Sequence, residues 1–271
     1  MKAVAADVAP SMQLALRFCG AAVFFGTWVL AREGRSAFAD GTLPSGLLLG
    51  TIFALEFIFV GEALVHTTAS HAIVFLYSAP IFTALGLQFL PEERLRRTQW
   101  LGILVAFAGI SVAFLGHAGR PVTALIGGDL IALLGGVSWG LTNVVLRRGR
   151  VGSSSIEKTV FYQVAIGAIV LLAFAAATQQ TRVLLTLPVV LALLFQTVVI
   201  AIASYLAWFW LLQRYLTSRL MLLSLLTPIF GVALSALALG DKIDLRFGVG
   251  AVLVLVGILV VNARQILQRS R

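Results

Sequence analysis

Charged residues and cysteines are scarce in this chain, and each scarcity excludes a class of protein. Of the 271 residues, 60% are hydrophobic and only 11% are charged, which leaves too little polar surface for a soluble globular domain. The single cysteine, Cys19, lies within an apolar run, so a disulfide framework and a cysteine-based metal site are excluded. Glycine-rich phosphate loops, paired active-site carboxylates and clusters with metal-ligand spacing are missing as well, so we expect neither a cofactor nor a metal.

Apolar runs of about 20 residues, the length that crosses a bilayer as a helix, recur along the whole sequence. The mean hydropathy of +1.01 agrees with this pattern. The first run is too long for a cleavable signal peptide and no small-residue cleavage site follows it. We therefore predict an all-α integral membrane protein that forms one membrane bundle. The nine predicted spans are 10–31, 45–65, 70–90, 98–116, 126–146, 157–177, 187–212, 218–239 and 246–262.

Lysine and arginine are concentrated in alternate loops between these spans. One side of the predicted membrane holds fourteen of the 20 Lys and Arg residues and the other holds five, while Arg17 lies inside the first span. Since short cytoplasmic loops are enriched in positive charge, the first side is predicted to be cytoplasmic, with the C-terminus inside. The net charge of +9 is therefore explained by membrane orientation, and we expect no nucleic-acid partner.

Residues 79–110 and 227–258 resemble each other at a constant offset of 148 residues. A repeated apolar block in a membrane chain is typical of transporters built from two related halves. We place a first repeat at 1–116 and a second at 126–271. The aligned pairs are Pro80 with Pro228, Glu93 with Asp241, Gly102 with Gly250, and Gly109 with Gly257.

The same offset leaves the span 126–146 without a partner, because its counterpart would precede Met1. We therefore expect a ten-helix design of two five-helix halves, of which nine helices are visible here and the first is missing. A natural nine-helix protein is the alternative. Because each half has an odd number of helices, the halves must insert with opposite orientations. An inverted repeat of this kind supports alternating access.

These features resemble the EamA type of the drug/metabolite transporter superfamily. The family pattern is a proline in the fourth and ninth helices, then an acidic residue, then a glycine nine residues later. The resemblance implies export of amino acids or other small metabolites, and the YddG-like amino-acid exporters are the subgroup we expect. The residues that carry it are Pro80, Glu93, Gly102, Pro228, Asp241, Gly250, the run 14–22, and Ser138-Trp139-Gly140 followed by Arg147-Arg148.

Two prolines and one carboxylate are the first candidates for transport roles. Pro80 and Pro228 fall near the middle of their spans, where a proline frees backbone carbonyls that can face a cavity. Packing kinks alone are the other interpretation. Glu56 lies near the centre of the second span, where it can protonate, bind a substrate ammonium or pair with a buried donor. Its repeat partner is Ser204, and Tyr205 lies beside that serine.

Aromatic and amide side chains near the middle of the spans are candidates for the pocket wall, although lipid-facing or packing roles remain open. Arg17 and Glu62 are predicted to form a structural pair between the first two spans. His66 and His71 flank an outer turn and are expected to be solvated. The pocket candidates are Tyr77, Trp139, Asn143, Tyr162, Gln163, Gln196, Tyr205 and Trp208.

The predicted function is export of small metabolites, with amino acids, including aromatic ones, as the expected substrates, across the bacterial inner membrane. The partners are the substrate, the lipid bilayer and protons as a candidate coupling ion. An intramembrane enzyme and a non-transporting scaffold are the alternatives. Residues 136–140 match the G-x-S-x-G pattern of serine hydrolases, but they lie in an apolar helix without a strand–turn–helix elbow. Gly136 and Gly140 therefore predict a small-residue packing face, and we expect no enzymatic activity.

Overall fold

The structure is a computed structural model that describes residue 4 and residues 7–115, 122–239 and 245–269. Among these residues, nine helices are long and apolar enough to cross a membrane, which confirms the predicted all-α membrane fold. The predicted spans agree with these helices to within a few residues at each end. The helical segments are α1 Pro10–Glu33, α2 Leu43–His66, α3 Ala69–Leu76, α4 Ala79–Leu87, α5 Arg97–Phe114, α6 Val122–Arg148, α7 Ile156–Ala177, α8 Leu187–Phe195, α9 Ser204–Arg214, α10 Thr217–Leu223, α11 Leu226–Leu239 and α12 Leu245–Arg269.

Two of the nine spans are interrupted near their midpoints, and a proline follows each interruption. The third span breaks at 77–78, between α3 and α4, and the eighth breaks at 224–225, between α10 and α11. Pro80 and Pro228 therefore lie in the first turn of a new helical segment. A proline lacks the N–H that an interior helical hydrogen bond requires, and this missing N–H is harmless in a first turn. The predicted kinks are thus helix breaks that precede the prolines by two to four residues.

The seventh span contains a wider helical stretch that the sequence did not predict. The π-helix Gln196–Ala203 joins α8 to α9 within the span Leu187–Arg214. It packs closely against α1, since a methyl group added at Gly20 would lie 2.8 Å from the side chain of Thr197. π-helical stretches inside α-helices occur frequently at functional sites, so this one belongs among the candidates.

The helices form two compact units that interleave along the chain. Unit 1 comprises Met1–Gly61 and Thr142–Arg214, and unit 2 comprises Glu62–Leu141 and Tyr215–Arg271. Each unit therefore takes helices from both predicted repeats. The repeats are stretches of sequence, whereas the units are sets of contacting helices, so the boundaries 1–116 and 126–271 stay predictions.

In unit 1, a buried lysine anchors the loop between α1 and α2. Lys158 is one of the fourteen cations that the sequence assigns to the cytoplasmic side, but it lies in the first turn of α7 and is only 2% exposed. Its Nζ donates to Asp40 Oδ2 at 2.6 Å and to the carbonyl oxygen of Ala37. The lysine and a 2.6 Å hydrogen bond from Thr42 Oγ1 stabilise the Asp40 carboxylate, which lowers the pKa of Asp40 to about 2. This contact fixes the loop to the end of α7.

In unit 2, four glycines bring α5 and α12 into backbone contact. A methyl group added at Gly102 would lie 2.7 Å from the carbonyl oxygen of Gly257, and one added at Gly109 would lie 2.6 Å from that of Gly250. The contacts are reciprocal, because the carbonyl oxygens of Gly102 and Gly109 approach Gly257 and Gly250 in the same way. Small residues allow this close approach of membrane helices. Under the offset of 148, Gly102 corresponds to Gly250 and Gly109 to Gly257.

This reciprocity has the pattern of a twofold relationship between two helices. When a twofold axis relates two surfaces, residue i contacts j' of the partner while j contacts i'. The pairs Gly102 with Gly257 and Gly109 with Gly250 follow that rule for α5 and its repeat partner α12. The contacts within unit 2 therefore support the predicted inverted repeat.

Candidate functional site

Arg17 is a buried cation in the middle of an aromatic cluster of unit 1. It lies on α1 and is 5% exposed, and its Cζ is 4.8 Å from the ring centroid of Phe18 and 5.7 Å from that of Phe57. Among the described residues its Nε has no hydrogen-bond partner, although the atom is shielded from solvent. The aromatic faces stabilise the guanidinium by cation–π attraction but do not satisfy its Nε.

Glu56 brings the opposite charge to the same unit. It lies on α2 next to Phe57, and its Oε2 is shielded from solvent without a hydrogen-bond partner in the described part of the chain. The ring of Tyr205 lies 6.4 Å from that of Phe18 between centroids, and Arg17 Cζ lies over the same Phe18 ring. An ionisable residue at the centre of a membrane costs on the order of 2.5–3.5 kcal/mol on insertion scales, and such residues are usually functional. The role of Glu56 as a site residue stays a prediction.

An aromatic wall surrounds these groups. The ring of Phe53 lies 5.0 Å from that of Phe57, 5.2 Å from that of Phe18 and 5.8 Å from that of Tyr205, measured between centroids. Phe18 and Phe53 are buried in the core of the unit, where α1, α2, α7 and α9 contribute side chains. These rings give the neighbourhood of the two charges an apolar surface.

The other candidates of unit 1 differ in their surroundings. Trp208 packs half-buried against the same aromatic core, whereas Asn143 is buried in α6, with 1% of its surface exposed. Ser204 is exposed at the start of α9, and its hydroxyl donates to the carbonyl oxygen of Ile200. The hydroxyl of Ser204 is thus hydrogen-bonded within its own span, while Trp208 extends the aromatic wall.

The candidates of unit 2 gather at the broken third span. Tyr77, the residue at the break, packs edge-on against Trp139 of α6 with ring centroids 5.4 Å apart. Pro80 follows in the first turn of α4 and is buried, as is Pro228 in α11. The structure therefore joins Tyr77, Trp139 and Pro80 as a second group.

The α6 glycines pack directly against this break. A methyl group added at Gly136 would lie 2.5 Å from the carbonyl oxygen of Phe75, and one at Gly140 would lie 3.0 Å from that of Ala79. The prediction of a small-residue packing face is confirmed. Ser138 is buried between these glycines within continuous helix, with 6% of its surface exposed, so the strand–turn–helix elbow of a hydrolase is missing in α6.

His71 is buried, and the expectation that it is solvated is wrong. Its Nδ1 lies 3.0 Å from Asp129 Oδ2, and Thr67 Oγ1 donates to Asp129 Oδ1 at 2.6 Å. All three residues are less than 10% exposed. The burial of His71 is compensated because a carboxylate on α6 accepts a hydrogen bond from its Nδ1–H. His66, by contrast, is exposed as expected.

Glu93, the acidic residue of the first family motif, caps a helix of the second repeat. Its Oε1 accepts from the backbone N–H of Thr217 at 2.9 Å, and its Oε2 accepts from the N–H and Oγ of Ser218 at 3.2 and 3.1 Å. With 1% of its surface exposed, the carboxylate replaces the N-terminal hydrogen bonds that α10 lacks. The repeat partner Asp241 lies outside the described residues.

The candidates are divided between the two units. Arg17, Glu56 and Tyr205 belong to unit 1, whereas Glu62, on the same helix as Glu56, belongs to unit 2. The predicted pair of Arg17 with Glu62 crosses that division and stays a prediction.

Comparison with known proteins identifies the family. The profile of the EamA-like transporter family matches residues 1–115 and again residues 126–263. These two matches fall on the two predicted repeats. One solved structure, described as a crystal structure of a protein, has the same fold with a TM-score of 0.80 at 21% identity, over 97% of this chain and 91% of that chain.

Three curated relatives extend this result. The "Probable amino-acid metabolite efflux pump" of Salmonella typhimurium is 31% identical over 80% of this chain and 76% of its own length. The Escherichia coli protein of the same description is 29% identical over 80% and 76%. The "Uncharacterized transporter YyaM" of Bacillus subtilis is 28% identical over 92% and 83%. The chain belongs to the EamA-like transporter family of the drug/metabolite transporter superfamily.

Proposed function

We propose that this transporter exports amino acids, including aromatic ones, by alternating access. It would act in the bacterial inner membrane with its C-terminus in the cytoplasm, the side to which the Lys and Arg bias assigns that terminus. Two relatives are described as amino-acid metabolite efflux pumps, which supports this substrate class.

The observation that carries the mechanism is the pair of broken spans. The breaks at 77–78 and 224–225 precede Pro80 and Pro228, which are repeat partners. Broken helices near the middle of a membrane are typical of transporter binding sites, because they expose backbone groups and allow two halves to move. The reciprocal glycine contacts of α5 and α12 support the inverted repeat on which alternating access depends.

Glu56 is the candidate for coupling transport to protons. Its carboxylate lies within a membrane-spanning helix and has an unpartnered oxygen among the described residues, so it can exchange a proton or bind a cationic group. Intramembrane hydrolysis has less support, since Ser138 lies within continuous helix.

Uptake into proteoliposomes tests this function. Purified protein would be assayed against a panel of radiolabelled amino acids, with and without an imposed proton gradient, beside the Glu56→Gln variant. We expect saturable uptake of some amino acids that the gradient stimulates in the wild type and not in Glu56→Gln. Flux that is the same in Glu56→Gln removes Glu56 from the mechanism, and a panel without any uptake refutes the substrate class.

A further inference from the structure

Arg17 carries a positive charge that unit 1 buries without giving its Nε a partner. The residue lies two turns into α1 and is 5% exposed. Its Nε is shielded from solvent and has no hydrogen-bond partner in the part of the chain that the structure describes. An arginine this close to the end of a membrane helix ordinarily extends its guanidinium to the aqueous interface. The burial of Arg17 is therefore costly, and an anion that accepts from Nε would offset that cost.

The immediate surroundings of the guanidinium are aromatic. Its Cζ lies 4.8 Å from the ring centroid of Phe18 and 5.7 Å from that of Phe57, and these two rings meet edge to face at 5.3 Å. Phenylalanine rings attract a cation through their faces, but they add no second positive charge and no hydrogen-bond donor. The single charge of Arg17 therefore matches a carboxylate, which accepts from a guanidinium through two oxygens, better than a doubly charged phosphate.

The aromatic surface continues from the cation to α9. The ring of Tyr205 lies 5.8 Å from that of Phe53 and 6.4 Å from that of Phe18, measured between centroids. Phe57 and Tyr205 are only partly buried, whereas Phe18 and Phe53 are enclosed in the core of the unit. The partly buried rings are thus the ones that a ligand held by Arg17 can contact. Aromatic rings beside a charged group suit an apolar or aromatic side chain.

We propose that Arg17 is a substrate-binding residue whose guanidinium binds the carboxylate of the transported amino acid, while Phe57 and Tyr205 contact its apolar side chain. This inference rests on the proposed function and names the residue that recognises the anionic end of the substrate. It gives Arg17 a role other than the structural pair with Glu62. Because Nε is shielded from solvent, the ligand binds in a conformation in which this cluster is open, and alternating access provides one.

Two ligands that differ only in the anionic group test the assignment. Counterflow of radiolabelled phenylalanine in proteoliposomes would be inhibited by unlabelled phenylalanine and by phenylalaninamide, in which a neutral amide replaces the carboxylate. Both ligands keep the aromatic ring, and the assay pH keeps both amines protonated. In the wild type we expect phenylalaninamide to inhibit about 10- to 100-fold more weakly, the effect of one charge-assisted contact.

Substitution of Arg17 should remove this preference, and substitution of a matched arginine should not. In Arg17→Gln, inhibition by phenylalanine should weaken about 10- to 100-fold, to the level of phenylalaninamide, whose own inhibition stays unchanged. Arg17→Lys should keep only part of the preference, since an ammonium cannot make the bidentate contact. Arg32→Gln is the control, because this exposed arginine lies at the other end of α1 and stacks on Trp28, with its Cζ 5.4 Å from the ring centroid. It should keep the full preference.

Two outcomes would overturn the proposal while amino-acid transport itself still stands. An unchanged preference in Arg17→Gln, or an equal loss for both ligands, shows that Arg17 is structural. The same loss of preference in Glu62→Gln assigns the effect to a pair of Arg17 with Glu62. Should Arg17→Gln not fold, an unchanged preference in Arg17→Lys gives the same refutation.

A binding measurement separates this inference from the proposed function. If the wild type moves no amino acid, the proposed function fails, and thermal stabilisation of the purified protein by 3-phenylpropionate tests the anion site alone. Stabilisation of the wild type and of Arg32→Gln that is reduced in Arg17→Lys retains the site. Equal stabilisation of all three proteins, or none of the wild type, refutes it.

Discussion

The contact between α5 and α12 predicts that alanine substitutions at two glycines of α12 change the stability of the protein very differently. A methyl group at Gly250 would lie 2.5 Å from the carbonyl oxygen of Gly109 and 2.6 Å from Cβ of Ala113. Such overpacking costs about 1–3 kcal/mol, while alanine gains about 1 kcal/mol over glycine in helix propensity. Among the described residues no atom lies within 4 Å of a methyl group at Gly248, two residues earlier. Gly248→Ala therefore gains helix propensity without the cost of overpacking.

We therefore expect Gly250→Ala to be less stable than Gly248→Ala by about 1–3 kcal/mol. Unfolding by SDS titration in mixed micelles, followed by tryptophan fluorescence, measures this difference. The reciprocal geometry adds a second test, since Gly109→Ala and Gly250→Ala fill the same gap and should deviate from additivity. Gly102→Ala and Gly250→Ala fill different gaps and should be additive. Equal stabilities of Gly250→Ala and Gly248→Ala would refute the close helix contact.

Three further side-chain contacts carry predictions. Glu93→Ala should lower the free energy of unfolding by at least about 2 kcal/mol, because α10 loses a charged cap; an unchanged SDS midpoint would contradict this. Asp129→Asn should lower the free energy of unfolding by about 1–2 kcal/mol, because it weakens the contact to His71. An unchanged free energy of unfolding in Asp129→Asn would argue against this contact. The pKa of Asp40 is depressed to about 2, so its contribution to stability is present above about pH 4 and lost as the pH falls toward 2. Thermal midpoints of wild type and Asp40→Asn should therefore differ at pH 6 and converge near pH 2, and a constant difference would exclude the contact with Lys158.

The spans were predictable because a membrane-spanning helix is defined by the length and hydropathy of one contiguous stretch of sequence. Each apolar run must satisfy its backbone hydrogen bonds internally, so its length and composition define the helix without knowledge of its neighbours. The prolines likewise marked the third and eighth spans as irregular. Their exact effect was less predictable, since the choice between a kink and a break depends on packing such as that of Gly136 against the carbonyl of Phe75.

Contacts between distant residues were not predictable from one sequence. Asp129 was not a candidate because nothing in the local pattern indicates that an α6 carboxylate receives His71, 58 residues away. Lys158 appeared to be a loop cation, yet its aliphatic chain is buried and its ammonium reaches Asp40. Glu56 was identified because a charge inside a span is conspicuous in sequence, whereas the contact of Arg17 with the ring of Phe57, the residue after Glu56, required the fold.

The most direct test of transport by alternating access is trans-stimulation. Proteoliposomes containing only this protein would be preloaded with an unlabelled amino acid, and entry of the labelled amino acid from outside would be timed. A carrier whose site faces one side at a time predicts faster, saturable entry into preloaded vesicles than into empty ones. Entry that is equally fast in both, or no faster than in protein-free vesicles, would contradict the account.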